Sequence, residues 1–332
     1  MDSSLLAVPS IGRHFLATSQ LDAAAFSALI GFSRDVRDAQ STPQALAGKN
    51  VVLIFEKPSL RTRITFEVAI RQLGGWPILL GPAESRLGER EAIEDVARNL
   101  SLWVDAIVAR VYSHRNLEDL AACSSIPVVN ALSDFEHPCQ ALADMLTLAD
   151  LWPDFSGRLL VYVGDWNNVS RSLAQASALA GLAFRAVCPP AYGPAPEENV
   201  DWSTDVNAVE GADAIYTDVW ASMGQEDELQ ERIEAFRSYQ VNDQLMAKTG
   251  KPARFMHCLP AHRGYEVTNS VMESEYSLVF HQAANRLPVE KAILISLMEG
   301  NYEEKSKKGG VGLLGRPGHL HHHSVAQGKL WL

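Results

Sequence analysis

Residues Asn50–Leu73 read NVVLIFEKPSLRTRITFEVAIRQL, and this stretch indicates the fold most strongly. Its opening run, NVVLIFE at Asn50–Glu56, is almost entirely apolar, which is typical of a strand that is covered on both faces. The segment after Ser59 carries apolar residues at spacings of three and four, which is typical of an amphipathic helix. A buried strand that leads directly into a helix predicts one unit of a parallel α/β sheet.

The same alternation of strand and helix patterns continues along the chain. Further strands are predicted at Trp76–Leu80, Asp105–Arg110, Ile126–Asn130, Arg158–Gly164, Phe184–Cys188, Ala212–Thr217, Ala253–Cys258 and Ser277–Phe280. Amphipathic helical patterns lie between these runs. The repeated alternation predicts an α/β fold of mainly parallel sheets flanked by helices, with right-handed crossovers.

The length of 332 residues favours two domains. Pro, Asp, Ser and Gly cluster in LWPDFSG at Leu151–Gly157, immediately before a new apolar strand. We therefore place the domains at residues 1–150 and 151–284. Residues 305–332 are basic, glycine-rich and crowded with histidines, which is typical of a disordered tail or an appended sequence.

Composition limits the classes of partner. The chain carries 29 basic and 40 acidic residues, a net charge of −11, which argues against nucleic acid but still allows a small anion bound by a local arginine cluster. The sequence contains no run near the roughly 20 apolar residues that cross a bilayer, and no signal-peptide pattern. Cys123, Cys139, Cys188 and Cys258 lack CxxC spacing, so we expect free thiols in a reducing cytoplasm.

The turn between the first strand and its helix is a candidate anion site. Ser59 suits a helix N-cap, where free N–H groups and the positive end of the helix dipole converge. Arg61, Thr62 and Arg63 would add guanidinium and hydroxyl donors, which favours phosphate. A capped helix with solvated arginines is the structural alternative. A nucleoside triphosphate is not predicted, because the glycine-rich Walker pattern is absent.

Two further segments place polar side chains at predicted helix starts. His137–Gln140 (HPCQ) sets an imidazole and an amide three residues apart, so the two groups could together grip a carbonyl–amide group. Gly164–Asn168 (GDWNN) follows a strand, at the edge where open parallel sheets bind ligands. Polar helix starts with ordinary caps explain either segment equally well. Neither matches the GxGxxG fingerprint, so a dinucleotide is disfavoured.

Three later segments also carry polar groups. Asp218–Glu226 (DVWASMGQE) sets an aspartate four residues before a serine, a pair that could bind an ammonium and a carboxylate group. His257–Gly264 (HCLPAHRG) places Cys258 after a strand, as a reactive thiolate or a buried apolar residue. Arg286 opens an apolar helical pattern, where a cation is unfavourable unless it faces an anion. A capped loop and a solvated arginine are the alternatives for the first and last segments.

Over residues 10–300 these motifs, in this order, resemble the aspartate/ornithine carbamoyltransferase family. Ser59–Arg63 is similar to its Ser-x-Arg-Thr-Arg signature, and His137–Gln140 to its His-Pro-Cys-Gln segment. Gly164–Asn168 is similar to its Gly-Asp-x-Asn-Asn segment. The Ser-Met-Gly run within Asp218–Gly224 and the His-Cys-Leu-Pro run at His257–Pro260 resemble the ornithine branch.

The resemblance implies two domains, one for carbamoyl phosphate and one for ornithine, with the active site in the cleft between them. A helix at about 285–303 would pack back on the first domain. The implied reaction transfers the carbamoyl group of carbamoyl phosphate to the δ-amine of L-ornithine, giving L-citrulline and phosphate, as in arginine biosynthesis. The implied assembly is a homotrimer with sites near subunit interfaces, and no metal or organic cofactor takes part.

The likeness also assigns residues. Carbamoyl phosphate would be bound by Ser59, Leu60, Arg61, Thr62, Arg110, His137, Gln140, Cys258, Leu259 and Arg286. Ornithine would be bound by Asn168, Asp218, Ser222 and Met223. Catalytic roles would fall on Arg61, Arg110, His137, Asp218, Cys258 and Arg286, with the identity of the base left open. Arginines directed at a forming oxyanion and a departing phosphate fit this chemistry.

Four positions leave room for alternatives. Leu60, Trp166 and Ala284 depart from residues that are common in the family, and Trp166 would reshape the pocket near Asn168. Arg86 either reaches the site of a neighbouring subunit or is a solvated loop charge. The alternatives to carbamoyl transfer to ornithine are carbamoyl transfer to acetylornithine, succinylornithine or putrescine, and ligand binding without turnover. A Rossmann dehydrogenase is disfavoured.

Overall fold

The computed structural model describes residues 8–84, 86–221 and 226–308. Within these residues the strands are β1 Asn50–Phe55, β2 Trp76–Leu80, β3 Ala106–Arg110, β4 Val128–Leu132, β5 Leu159–Val163, β6 Ala183–Val187, β7 Trp202–Ser203, β8 Ala214–Thr217 and β9 Arg254–His257. Within the same ranges the α-helices are α1 Ala23–Asp38, α2 Leu60–Gln72, α3 Ile93–Trp103, α4 His114–Cys123, α5 Pro138–Leu151, α6 Asn168–Ala180, α7 Leu229–Phe236, α8 Asp243–Ala247, α9 Asn269–Met272 and α10 Val279–Lys308.

The strands form two parallel sheets, which confirms the predicted α/β class. The first sheet has the order β2-β1-β3-β4, and the second has the order β7-β6-β5-β8-β9. All of the named strand pairs are parallel. The carboxyl ends of neighbouring strands therefore share one edge in each sheet, where ligands of open α/β sheets bind.

Strand register brings polar residues that are distant in sequence into the same place. In the first sheet, Arg110 lies opposite the last residue of β1, next to the turn that leads into α2. In the second sheet, Thr217 pairs with His257. The residues that follow this pair, Asp218 and Cys258, therefore leave their strands side by side.

Side-chain caps fix the helix starts that face this edge. The Oγ of Ser59 accepts a hydrogen bond from the backbone N–H of Thr62 at 3.3 Å and caps α2, as predicted. The side chain of Asn167 accepts from the backbone N–H groups of Val169 and Ser170 at 2.9 and 3.1 Å and caps α6. Each cap satisfies N–H groups that a helix start would otherwise leave unpaired.

Helix α10 is longer at both ends than the sequence predicts. It begins at Val279 rather than near residue 285, and it ends at Lys308, so the tail predicted from residue 305 starts inside the helix. The predicted start is late because the run Ser277–Phe280, within which the helix begins, was predicted as a strand. Pro288 lies within the helix. The helix packs against α1, α2 and α5, which all precede the second sheet in the chain.

The sequence analysis errs twice about strands at the edges of the second sheet, with one wrong prediction and one missed strand. Ser277–Phe280 is not a strand, because Ser277 makes only an isolated bridge to Phe255 and α10 begins two residues later. A short apolar run fits a buried strand and a buried helix equally well. The two-residue strand β7 at Trp202–Ser203 was missed, since its length gives no periodicity to recognise.

Three further sequence predictions can be compared with the described residues. All four cysteines are free, as predicted. No described helix combines the length and the apolar character needed to cross a bilayer. Of the predicted tail, residues 309–332 with their histidine cluster lie outside the described residues.

Helix α10 provides a direct test of this packing. Leu294 is fully buried in the core that α10 shares with α1 and α5, whereas Phe280 on the same helix is 66% exposed. We expect Leu294→Ala to lower the free energy of unfolding by about 2–5 kcal/mol, because the surrounding core cannot close the cavity fully. Phe280→Ala should change it by about 0.5 kcal/mol or less. Denaturant titration of both variants would contradict the packing if the two changes were equal.

Candidate active site

A cavity of about 1220 Å³ opens between the carboxyl ends of the two sheets. Its lining includes the twelve described residues that the sequence predicts to bind substrates: Ser59, Leu60, Arg61, Thr62, Arg110, His137, Gln140, Asn168, Asp218, Cys258, Leu259 and Arg286. The remaining two, Ser222 and Met223, lie outside the described residues. Segments separated by more than 200 residues therefore meet in one place.

Three guanidinium groups give one wall of the cavity its charge. Arg61 is half-buried, Arg110 is 7% exposed and Arg286 is 3% exposed. Burial, and then the charges of Arg286 and Arg61, lower the pKa of Arg110 to about 10. The Nε of Arg110 has no hydrogen-bond partner among the described residues. This concentration of positive charge beside the N-terminus of α2 favours an anion with several acceptor oxygens.

The neighbouring Arg63 takes no part in this wall, which corrects the sequence prediction. Its Nε donates to Glu67 at 2.8 Å, one helical turn further on, and the side chain is half-exposed. It does not line the cavity. Residues two apart on a helix point in different directions, so Arg61 and Arg63 cannot both face the same ligand.

Arg286 lies within α10 rather than at the start of a helix, where the sequence analysis places it. Its guanidinium contacts buried partners. Its Nη2 lies 2.7 Å from Oε1 of Glu290, one turn along α10. Its Nη1 donates to Oε1 of Gln140 at 2.7 Å, and Nη2 donates to Oγ1 of Thr62 at 3.4 Å. Burial is the largest influence on the pKa of Arg286 and lowers it, but the charge and hydrogen bond of Glu290, together with the nearby Cys139 and Asp144, outweigh burial and the net change is upward.

His137 and Gln140 lie at the start of α5 beside these arginines. The backbone N–H of His137 donates to Oγ of Ser172 at 2.8 Å, which joins this helix start to α6. Burial lowers the pKa of His137 well below 6.5, and the three arginine charges add to the effect. The imidazole is therefore neutral at pH 7 and can donate one hydrogen bond to a carbonyl oxygen.

The opposite wall presents Asp218 and Cys258. The thiol of Cys258 donates to Oδ1 of Asp218 at 3.1 Å, and Nδ2 of Asn167 donates to Oδ2 at 3.1 Å. Burial, and then Asp218, raise the pKa of Cys258 well above 9, so the thiol stays protonated at pH 7. The structure therefore favours a hydrogen-bond donor at this position over a reactive thiolate.

Donor atoms of Asp218, His257 and Cys258 lie within 4.8 Å of one another, a set of the kind that can hold a metal ion. Both ring nitrogens of His257 already have protein partners, because Nδ1 accepts from the backbone N–H of Leu259 at 2.8 Å and Nε2 lies 3.3 Å from Glu266. Protein hydrogen bonds account for this cluster. The expectation that no metal or cofactor takes part stays a prediction.

Asn168 and Trp166 are placed at the rim. Nδ2 of Asn168 donates to the backbone carbonyl of Ser133 at 2.6 Å, so this amide bridges the two halves of the chain. Trp166 lines the cavity, donates its indole N–H to Glu198, and meets Phe184 edge-on. The indole therefore occupies part of the rim that a glycine would leave open.

Arg86 does not line the cavity of its own chain. Its guanidinium lies 3.2 Å from Glu89, and the side chain is largely exposed. Within a single chain these contacts are those of a solvated loop charge, and a contact of Arg86 with the site of a neighbouring subunit stays a prediction. Leu87, the next residue, is instead buried, and its N–H donates to Oε1 of Glu56 at 2.9 Å.

Sequence reasoning missed several residues of the lining, among them Lys57, Tyr112, Arg171, Tyr192, Arg232 and His262. Arg232 donates to Oδ2 of Asp165 at 2.8 Å and lies over the Tyr192 ring, although it comes 67 residues after its carboxylate partner. Nothing in the sequence of α7 marks this arginine, because an amphipathic helix usually carries such charges on its solvated face. Lys57 could have been found, since it lies in the candidate anion turn.

Two family models match consecutive parts of the chain. The aspartate/ornithine carbamoyltransferase carbamoyl-P binding domain matches residues 13–150, and the Asp/Orn binding domain of the same family matches residues 156–297. The chain belongs to the aspartate/ornithine carbamoyltransferase family. The resemblance noted from the five motifs is therefore confirmed.

Named relatives within this carbamoyltransferase family cover most of the chain. An ornithine carbamoyltransferase of Shewanella oneidensis is 45% identical over 299 residues, which is 86% of this chain and 99% of that protein. An anabolic ornithine carbamoyltransferase of Pyrococcus furiosus is 47% identical over 270 residues, 77% of this chain and 85% of that protein. The solved structure of an ornithine carbamoyltransferase from Pyrococcus furiosus superposes with a TM-score of 0.82 at 43% identity, covering 87% of this chain and 98% of that one.

Two arginines of α2 allow a matched test of the anion wall. Arg61→Ala should weaken the binding of inorganic phosphate by about tenfold or more, because it removes a partly buried charge that faces the cavity. Arg63→Ala should leave the dissociation constant within about twofold, since its exposed ion pair with Glu67 contributes little. Isothermal titration calorimetry measures both constants. Equal losses in the two variants would contradict the assignment of Arg61 to this wall.

Proposed function

We propose that the protein transfers the carbamoyl group of carbamoyl phosphate to the δ-amine of L-ornithine, giving L-citrulline and phosphate. The observation that carries the proposal is the meeting of two unlike walls in one cavity. One wall holds Arg61, Arg110 and Arg286, and the other holds Asp218 and Cys258. The names of the relatives support the same reaction.

The phosphate would lie at the start of α2. The N-terminal turn of this helix, Ser59–Thr62, offers backbone N–H groups and hydroxyl donors at its positive end. Arg61 and Arg110 would pair with the phosphate oxygens, which carry more negative charge as the leaving group departs. Donors held in place before the reaction stabilise that charge without reorganisation.

The carbamoyl group would lie beside α5. A neutral His137 would donate to the carbamoyl carbonyl oxygen, and Gln140 would meet the carbamoyl amide. Arg286 would face the same carbonyl oxygen. In the reaction the δ-nitrogen lone pair forms a bond to the carbonyl carbon and a tetrahedral oxyanion results. The carbon–oxygen bond to phosphate then breaks, and the attacking nitrogen gives up one proton, which the departing phosphate can take, so that citrulline and hydrogen phosphate remain. Stabilising that oxyanion lowers the barrier, because the charge develops only in the transition state.

Ornithine would lie against the second sheet. Asp218 would pair with its α-ammonium group, and Asn168 would meet the amino-acid end. By the family likeness, Ser222 and Met223 would also bind there. Cys258 and Leu259 would lie near the reacting centre, with the δ-amine attacking in its neutral form after losing a proton.

The carboxylate of Asp218 favours free ornithine over the two acylated acceptors. Acetylornithine and succinylornithine lack an α-ammonium group and would leave this carboxylate without a cationic partner. Putrescine lacks the α-carboxylate of an amino acid. Arg61, Arg110 and Arg286 also favour turnover over ligand binding alone, because they would face the position where charge develops.

Acceptor specificity can be tested with one variant. The wild-type protein should turn over ornithine and carbamoyl phosphate, with little activity on acetylornithine or putrescine. Asp218→Asn should lower kcat/KM for ornithine by about 10- to 100-fold, because a charge-assisted contact is lost. The KM for carbamoyl phosphate should stay within about twofold. A steady-state citrulline assay with no turnover of ornithine by the wild type would reject the proposed reaction.

The proposal extends to assembly and location. Large apolar side chains are exposed on the edge strand β2 and at the end of α3: Trp76, Ile78, Leu102 and Trp103. An exposed apolar edge strand is a ready interface. We assign these side chains to subunit contacts of a homotrimer, with sites near the interfaces. A cytoplasmic role in the citrulline-forming step of arginine biosynthesis fits the free cysteines and the named anabolic relative.

Two equally exposed aromatic residues test the trimer. Trp103 is 67% exposed and Phe280 is 66% exposed. We expect a native mass near three times the chain mass of 36.4 kDa by sedimentation equilibrium. Trp103→Glu should shift the mass towards the monomer, since a charge would be buried at the interface, whereas Phe280→Glu should not. A monomeric wild type, or a trimer that tolerates Trp103→Glu unchanged, would contradict the assigned contacts.

A further inference from the structure

One buried carboxylate outside the cavity contacts several of the elements that build it. Asp144 lies on α5, one turn after Gln140, and it is fully buried. Its Oδ1 accepts hydrogen bonds from Nε2 of Gln140 and from Nε2 of Gln282, each at 2.8 Å. Its Oδ2 accepts from the hydroxyl of Tyr216 at 3.0 Å. The carboxylate therefore joins α5, α10 and β8.

Each of these donors leads to a different part of the cavity. The other end of the Gln140 amide, Oε1, accepts from Arg286 on the anion wall. The other end of the Gln282 amide accepts at 2.9 Å from the backbone N–H of His257, immediately before Cys258. Tyr216 lies two residues before Asp218 at the end of β8. The Asp144 carboxylate thus bonds directly to Gln140, which lines the cavity beside the anion wall, and reaches the residue before Cys258 through Gln282.

The chemistry of the groups makes this arrangement directional. An amide has a donor end and an acceptor end, whereas an ionised carboxylate can only accept. With Asp144 at one end, the Nε2 atoms of Gln140 and Gln282 must point towards it, and their Oε1 atoms must point away. A reversed amide would set two acceptors against each other in a buried place, which is costly.

The protonation state of Asp144 is compatible with this role. Burial raises its pKa to about 6, while the three hydrogen bonds and the Arg286 charge oppose the rise. At pH 7 the group is therefore mostly ionised. Gln140 keeps a second lone pair on Oε1 and a second hydrogen on Nε2 for other contacts.

We infer that Asp144 is a positioning residue that orients the Gln140 amide towards the carbamoyl group and, through Gln282, holds the Cys258 loop at the ornithine side. The inference rests on the proposed function, because it concerns the same cavity. Asp144 touches no substrate, and its role would be to align the carbamoyl-phosphate side and the ornithine side of the cavity.

The experiment compares three variants with a matched control on the same helix. Asp144→Ala removes the shared acceptor. Asp144→Asn keeps one acceptor oxygen for the two amides and turns its NH2 towards the Tyr216 hydroxyl. Gln282→Met removes the amide that bridges Asp144 and His257, and leaves the hydrogen bonds of Gln140 and Tyr216 to Asp144 in place. Thr147→Val is the control, because Thr147 is also buried on α5 and accepts a hydrogen bond from Asn285 of α10, whereas its hydrogen bonds among the described residues do not involve Gln140, Gln282 or Tyr216.

Two ligands separate the carbamoyl contact from the phosphate contact. Calorimetry gives the dissociation constants of inorganic phosphate and of phosphonoacetamide, a stable carbamoyl-phosphate analogue. In Asp144→Ala the ratio of the phosphonoacetamide constant to the phosphate constant should rise about tenfold, because the Gln140 amide is no longer oriented. The ratio should stay within about threefold of wild type in Asp144→Asn and be unchanged in Thr147→Val.

Kinetics tests the second link. Gln282→Met should raise the KM for ornithine about tenfold and leave the ratio of the two dissociation constants unchanged. Asp144→Ala should also lower kcat about 10- to 100-fold. Because Gln282→Met severs only one link, it tests the inference even where Asp144→Ala fails to fold. A Gln282→Met variant with wild-type KM for ornithine would overturn the inference, as would a Thr147→Val variant that shifts the ratio like Asp144→Ala.

The outcomes also separate this inference from the proposed function. A wild-type protein that turns over ornithine, together with an Asp144→Ala variant whose ratio and kcat are unchanged, would overturn the positioning role alone. A wild-type protein that binds neither phosphonoacetamide nor phosphate would overturn the proposed function, and the positioning role with it.

Discussion

Three guanidinium groups share one cavity. Much of the surrounding structure reduces the free-energy cost of burying these like charges close together. Arg286, the most buried, is balanced by Glu290 on its own helix and by hydrogen bonds to Gln140 and Thr62. Among the residues that the structure describes, Arg110 has no such carboxylate partner, and its pKa is lowered. Positive charge left without a counter-ion in a low-dielectric place is what attracts a small anion to a protein whose net charge is −11.

The packing of α5 and α10 makes this concentration of charge possible. Helix α10 follows the second sheet in the chain but packs against α1, α2 and α5, so Arg286 is placed beside the start of α2. The same two helices carry Gln140, Asp144 and Gln282, whose hydrogen bonds link the walls of the cavity. The catalytic geometry and the hydrophobic core therefore depend on the same helix pair, and damage to one affects the other.

Much of the fold was predictable, because buried parallel strands leave short apolar runs that alternate with helical periodicity. The first eight predicted strands exist, with ends that differ by at most two residues, since local propensity defines boundaries poorly. The strand predicted at Ser277–Phe280 was wrong, because a short apolar run does not distinguish a strand from the start of a buried helix. The prediction that Arg63 contributes to the anion site was wrong, because periodicity does not indicate which side of the helix faces the ligand.

The sequence by itself determined the α/β class, the family and the motifs that line the cavity, because turn, cap and strand signals are local. Only the tertiary structure decided which groups meet. It pairs Arg286 with Glu290, turns Arg63 into solvent, keeps the Cys258 thiol protonated and makes Asp144 a shared acceptor. These outcomes depend on burial and on contacts between segments far apart in the chain, and neither quantity is encoded in any short stretch of residues.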